Sequence, residues 1–379
     1  MTRNKTFTIL SVIGMILILL GHMDLQVLNP AGLFPYYSYH VMIFVFISGY
    51  FYKPEDESRP GAYFLHKCKR LLLPYFCFNL IYGLISTLLN RAGFSTGEDI
   101  SIYNLFVAPF VGGHQFGLNA PAWFVPALFM LLVCNTCARK LLGIVTEKLP
   151  FTKEKTVQYT EWFLMLIYLA AGILAVALAI RGSVYDLYKI PGRLMLMAPA
   201  LQLGRLYRVR LENIDRIPSI IYFPVLILIN LILTLKYVGL GYSTVWVTGF
   251  GAGPIVPFVT MVTGIALWLR VAKILASSLH EGGSTYKALN CIGSHTFDIM
   301  LHHLGVFMII NALIYALNRL TGVFADFDVA AFRSDIYYVF VPDGIEGFKF
   351  IYLMCGLVLP VCLGCLISKV RMKACGGRS

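Results

Sequence analysis

The chain is a near-continuous succession of apolar segments separated by short polar interruptions. Helical spans are expected near 6–28, 39–52, 71–90, 121–138, 160–180, 191–207, 217–236, 253–270, 292–317 and 347–368. Each is judged against the roughly 20 apolar residues that a helix rising ~1.5 Å per residue needs to cross a bilayer core of ~30 Å. The second segment is short and should extend into its flanks. The sixth is interrupted by Pro199, and the eighth could begin earlier, around YSTVWVTGF. No polar stretch approaches the ~50 residues of a small soluble domain. Residues 1–379 therefore read as one all-α, polytopic membrane domain of about ten transmembrane helices.

Composition agrees. Of the 379 residues, 58% are hydrophobic and 13% charged, about half the charged fraction of a soluble domain. The formal charge of +12 could suggest a nucleic-acid partner, but the basic residues form short clusters between apolar segments, not one polar face, so membrane lipids are expected and nucleic acid is not. With both termini cytoplasmic, 23 of the 31 Lys and Arg fall in cytoplasmic segments and 8 in outer ones, as the positive-inside rule requires. Arg3 and Lys5 imitate the start of a secretory signal, yet no small-residue cleavage site follows, so the first span should stay as an anchor. Two CxxC pairs, Cys134 with Cys137 and Cys362 with Cys365, sit inside apolar helix patterns. Helix packing is their expected role, and no metal is expected.

Polar side chains within such segments carry the chemistry. His22 lies about two-thirds of the way across the first span. A short loop containing Asn29, Pro30 and Pro35 then returns the chain, bringing His40 back to similar depth. Two imidazoles there could line one outer-half cavity, since a polar group at that depth must face protein or water. A neutral histidine can accept the proton of an alcohol, as acyl transfer requires; interhelical packing is the plainer alternative. In GSHTFDIMLHHLG, His295, Asp298 and His302 share one helical stripe and His303 stands one residue round. Asp298 could orient His302 or merely be neutralised by it. The clusters HKCKRLLLPY and LGRLYRVR present Lys67, Lys69, Arg70, Arg205, Arg208 and Arg210 at span ends. Topology and anionic headgroups account for most of that charge, while some could grip a phosphorylated cytoplasmic ligand. The glycine-rich loop 91–120 could cover an outer cavity or merely connect two spans.

In order along the chain, ILLGHM, YHVMIFVFISGYFYK, KRLLLPYFCFNLIY, PAWFVPALF, APALQLGRLYR and IGSHTFDIMLHH resemble the motifs of the acyltransferase 3 family of integral membrane O-acyltransferases. The likeness is greatest to its fucose O-acetyltransferase-like and enterobacterial-common-antigen acetyltransferase-like branches. It covers nearly the whole chain. The resemblance implies a multi-pass protein of the bacterial cytoplasmic membrane that moves an acetyl group from cytoplasmic acetyl-CoA, a substrate and not a bound cofactor, to a sugar hydroxyl of a lipid-linked or surface glycan. It further implies His22 as catalytic base, with His40, Ser48, Trp123 and His303 shaping the cavity or positioning the groups. The family commonly has an arginine eleven positions ahead of its first histidine, engaging the donor. Here that position is Ser11, so another cation such as Arg70 or Arg205 would take over, or donor use has changed; Lys69 and Arg208 belong to the same two basic clusters. A covalent acyl-histidine relay, a transporter or glycan flippase using intramembrane histidines, and an inert membrane partner are the remaining alternatives. No inverted repeat supports the transporter.

Overall fold

The structure, a computed structural model, describes residues 4–113, 115–146, 153–184 and 188–376. The principal helices are α1 (Lys5–His22), α2 (His40–Tyr50), α3 (Pro60–Arg91), α4 (Phe124–Thr146), α5 (Lys153–Ile180), α6 (Lys189–Leu206), α7 (Ser219–Lys236), α8 (Val256–Ser278), α9 (Ser284–Ser294), α10 (Thr296–Thr321) and α11 (Lys349–Gly376). Among the described residues there are no named strands, only two isolated bridges. Among the described residues, eight helices are long and apolar enough to cross a bilayer. The chain is an all-α polytopic membrane protein.

The remaining two expected spans, α2 and α6, are an inner pair. α2 has only 11 residues, a rise of ~16 Å. A single turn, Tyr36–Ser38, precedes it, so it does not lengthen into a full crossing. α2 and α6 meet through glycines. A Cβ on Gly49 would collide with Leu201 O, and one on Gly204 with Phe46 O, the close backbone approach that small residues permit between membrane helices. Pro199 is accommodated inside α6. α1 is equally central, buried along almost its whole length. The outward faces of α3, α5 and α7 instead carry exposed Leu84, Leu88, Leu166, Ile220 and Leu235, as expected of helices whose solvent is lipid.

Several helices run past the expected bounds, α3 starting at Pro60, α4 reaching Thr146, α8 Ser278 and α11 Gly376, and two spans are cut short or broken. α1 starts on Asn4, whose side chain accepts the Phe7 N–H, and stops at His22, not at residue 28. Asp24 adopts a left-handed backbone, φ 47°, which a helix cannot continue through. The ninth span, expected from 292, breaks at His295 into α9 and α10.

The two ends of the bundle differ in charge. α1 begins at the basic end, where Lys5 Nζ donates to Leu279 O. α11 finishes there too, since Gly356 packs against Leu19 and His303 while Gly364 packs against His295 and Asp298. At this end Arg139, Glu161, Gln202 and Arg205 form a buried network joining α4, α5 and α6. Arg139 Nη2 donates to Glu161 Oε2 at 2.7 Å and to Gln202 Oε1 at 2.6 Å, and Arg205 Nε donates to Glu161 Oε1 at 3.1 Å. Removing one partner would strand a buried charge.

Asp215, between α6 and α7, receives Arg270 at 2.5 Å, Lys273 at 2.7 Å and the Tyr207 hydroxyl at 2.8 Å. Burial alone would raise its carboxyl, but the Lys273 and Tyr207 hydrogen bonds and the two cations hold it below the ordinary value. A depressed folded-state pKa contributes stability above the unfolded value and loses it as pH falls through the folded one. Detergent-solubilised protein should therefore melt higher than Asp215→Asn at neutral pH, with the gap closing below about pH 4. An unchanged gap at pH 3 would refute the assignment.

Candidate functional site

A cavity of about 480 Å³ opens between α1, α2, α4 and α10, within the range that holds small-molecule ligands. His22, Asp24, Tyr37, His40, Trp123 and Trp246 line it toward the end opposite the basic clusters. Met15, Leu71, Thr296 and Phe297 line it deeper, on the way to the basic end.

α1 delivers His22 and α10 delivers His303, and the two rings stack with centroids 5.0 Å apart and planes 11° from parallel. His303 is fully buried, and its Nδ1 stands 2.8 Å from Ile299 O, one turn back on α10. Only an N–H can satisfy that carbonyl, so Nε2 of a neutral His303 is the accepting nitrogen. His22 Nδ1 lies 2.8 Å from it and must therefore donate. This network assigns the basic lone pair of His22 to Nε2. The orienting partner of the cavity histidine is thus a second histidine, itself fixed by a backbone carbonyl.

His40, buried at the start of α2, is held the same way: its Nδ1 donates to Tyr36 O at 2.5 Å. The Tyr37 ring packs edge-on against it at 5.0 Å, and the Tyr37 hydroxyl donates to Gly21 O at 3.0 Å. The Tyr337 ring lies 5.3 Å from His22. Burial raises the phenols of both tyrosines, helped at Tyr37 by Asp24 and at Tyr337 by Tyr37, so both stand as neutral hydroxyls near the histidines.

Trp123 ends the turn Gly117–Trp123. The loop before it is folded into short helices Ile102–Phe106 and Ala108–Val111, and the Gln115 side chain anchors it by donating to Tyr75 Oη at 3.2 Å and Asn79 Oδ1 at 3.1 Å. The loop thus positions a cavity wall. Behind the Trp123 ring, 5.0 Å from its centroid, stands the guanidinium of Arg193, which donates to Val245 O and Gly112 O. Arg193 pins the turn Ser243–Thr248, whose Thr244, Val245 and Trp246 close another side of the cavity. Val247 in that turn has φ 51°, a costly conformation for a β-branched residue.

The structure brings together His22, His40, His303 and Trp123 and leaves the other expected site residues elsewhere. Ser48 does not line the cavity; its hydroxyl donates back to Phe44 O at 2.8 Å. His302 pairs with the Tyr82 hydroxyl at 2.8 Å, not with Asp298. At the basic end a separate cleft of about 440 Å³ is lined by Tyr52, Lys53, Glu55, Asp56, Arg205 and Arg208. Arg205 is already committed to Glu161, and burial pushes the neighbouring Glu57 carboxyl up although Arg139 lies 3.8 Å away. Lys69 and Arg70 are exposed in a wide π-helical turn, Cys68–Leu72, one residue before the cavity-lining Leu71. Ser11, at the position the resemblance assigns to an arginine, packs at a tight crossing: a Cβ on Gly293 of α9 would meet Thr8 Cγ2 at 2.9 Å and Ser11 Oγ at 3.4 Å. Arg3, the nearest arginine along the sequence, lies outside the described residues.

Arg193, Tyr37, Tyr337 and Trp246 were not singled out from the sequence. Each comes from a loop or helix end that only the fold brings to the cavity. Arg193 alone carried a signal, as a charge inside an expected span.

Compared with known proteins, residues 6–370 match the model of a family described as an acyltransferase domain. No curated protein and no solved structure matches the chain.

Proposed function

The chain belongs to this acyltransferase family, and from that membership we propose that it is an O-acetyltransferase of the bacterial cytoplasmic membrane, moving acetyl from cytoplasmic acetyl-CoA to a sugar hydroxyl of a lipid-linked or surface glycan. The observation that carries this reading is His22, backed by buried His303, in the wall of a cavity whose lining extends toward the basic end. The basic nitrogen of His22, Nε2, takes the proton of the acceptor hydroxyl as its oxygen attacks the thioester carbonyl, and the thiolate of CoA leaves and is protonated by solvent. His303 holds the His22 ring in the tautomer this needs and spreads the positive charge that forms. The neutral hydroxyl of Tyr337, and the indole of Trp246 or Trp123, are the donors available to a developing oxyanion, since Tyr37 spends its proton on Gly21 O.

The nucleotide of the donor would dock against the basic end. Arg70, exposed and adjacent in sequence to cavity-lining Leu71, suits this better than Arg205, which is buried and already engaged by Glu161. Lys69 and Arg208 remain exposed for the same task.

The test is reconstitution of purified protein in vesicles with labelled acetyl-CoA outside and a glycolipid acceptor, followed by mass spectrometry of the glycan. A mass gain of one acetyl that needs both substrates supports the reading. Glycolipid crossing the bilayer with no acetylation would instead identify a flippase.

A further inference from the structure

We propose that Cys291, His295 and Cys365 form a structural binding site for a single thiophilic divalent cation, Zn2+ in class, that ties α11 to the break between α9 and α10. One ligand atom from each residue, two Sγ and one imidazole nitrogen, lies within 4.8 Å of the others. His295 Nε2 and Cys365 Sγ are 3.7 Å apart. With Zn–S near ~2.3 Å and Zn–N near ~2.0–2.1 Å, tetrahedral coordination puts such atoms about 3.5–3.8 Å from each other, so an ion fits between them with little movement. The imidazole is already set: His295 Nδ1 donates to Cys291 O at 2.9 Å, leaving Nε2 as the coordinating nitrogen. This is the backbone partnership that orients histidine ligands. Cys291 on α9 and His295 at the α9–α10 break stand four residues apart and meet Cys365 of α11, a relation that neither CxxC spacing nor hydropathy reveals. The fourth position falls to water or to Cys362, one turn back from Cys365 on α11.

The location gives the ion a task. Gly293, between Cys291 and His295, packs on Thr8 and Ser11 of α1, while Thr296 and Phe297, just past His295, line the deep part of the large cavity. An ion at this point fixes the wall of that cavity from the basic end without touching the His22 pair. Cytoplasmic thiols, which the charge asymmetry of the loops assigns to this end, stay reduced and available as ligands. Binding deprotonates both thiols and releases their protons to solvent.

Metal analysis of full-length protein, purified in detergent under reducing conditions without chelator, tests the site. About one zinc per chain is expected in the wild type, falling to background in Cys291→Ser and Cys365→Ser and unchanged in Cys134→Ser, which alters the other CxxC pair. Because a ligand variant could fail to fold, the wild type is also stripped and reloaded with Co2+. Thiolate-to-cobalt charge-transfer absorption in the near ultraviolet, bleached by added Zn2+, supports the site. Absence of that band, zinc retained in Cys365→Ser, or a Cys291–Cys365 disulfide found by mass spectrometry under the same conditions would each overturn it.

Discussion

His22→Ala is expected to lower acetyl transfer by about 10²–10⁴-fold, the contribution of a positioned general base, with the loss in kcat and donor binding preserved. The ring lines the cavity and packs against His303 and Tyr337. Removing it leaves the rest of the wall standing, so thermal stability and acetyl-CoA binding should stay close to wild type. His303→Ala should also reduce kcat, because His22 Nδ1 loses its acceptor and the tautomer that places the lone pair on Nε2 is no longer enforced. The two effects should not add: with His22 already alanine, His303→Ala should cost little more. Measured side by side in reconstituted vesicles, a His22→Ala enzyme at wild-type rate would remove His22 as the base. Additive losses would separate the two rings into independent roles.

Gly204→Val should prevent accumulation of folded protein altogether. Ordinary overpacking of a core costs about 1–3 kcal/mol because side chains shift to make room. Here the obstacle is Phe46 O with Tyr50 N behind it, both backbone atoms of α2, and backbone cannot rotate aside. α2 and α6 must separate, disturbing Tyr50 and Arg205, which hold the basic end. Gly204→Ala should show the same fault in milder form, as a clear drop in melting temperature. Gly61→Ala, where an added methyl meets nothing within 4 Å, is the control. Fluorescence-detected size exclusion of detergent extracts would decide, and a monodisperse Gly204→Val peak would contradict the α2–α6 crossing.

Much of this architecture was legible in the hydropathy pattern, since long helices in lipid must be apolar around most of their circumference. α2 was visible only as a short apolar run, and its role as an inner half-helix depends on Gly49 and Gly204, which announce close approach only once a partner is known. The end of α1 was misplaced because apolar Leu25, Val27 and Leu28 prolong the pattern past the point where Asp24 turns the backbone. Of the site, His22, His40, His303 and Trp123 could be singled out because imidazoles and a tryptophan stand out within such segments. The pairing of residues 281 positions apart could not be read, nor could the capture of Arg205 by Glu161. A charge written at a span end reads alike whether it meets a phosphate or a carboxylate.

The brevity of α2 bears on transport distance. A helix of eleven residues measures only about half the ~30 Å between the two headgroup layers, and the passage containing His22 and His40 runs alongside it. α2 therefore walls that cavity over only part of the bilayer depth. Under the proposed function, an acyl donor and an acceptor alcohol entering from opposite sides would each cover a fraction of that thickness before meeting, and neither would have to cross it.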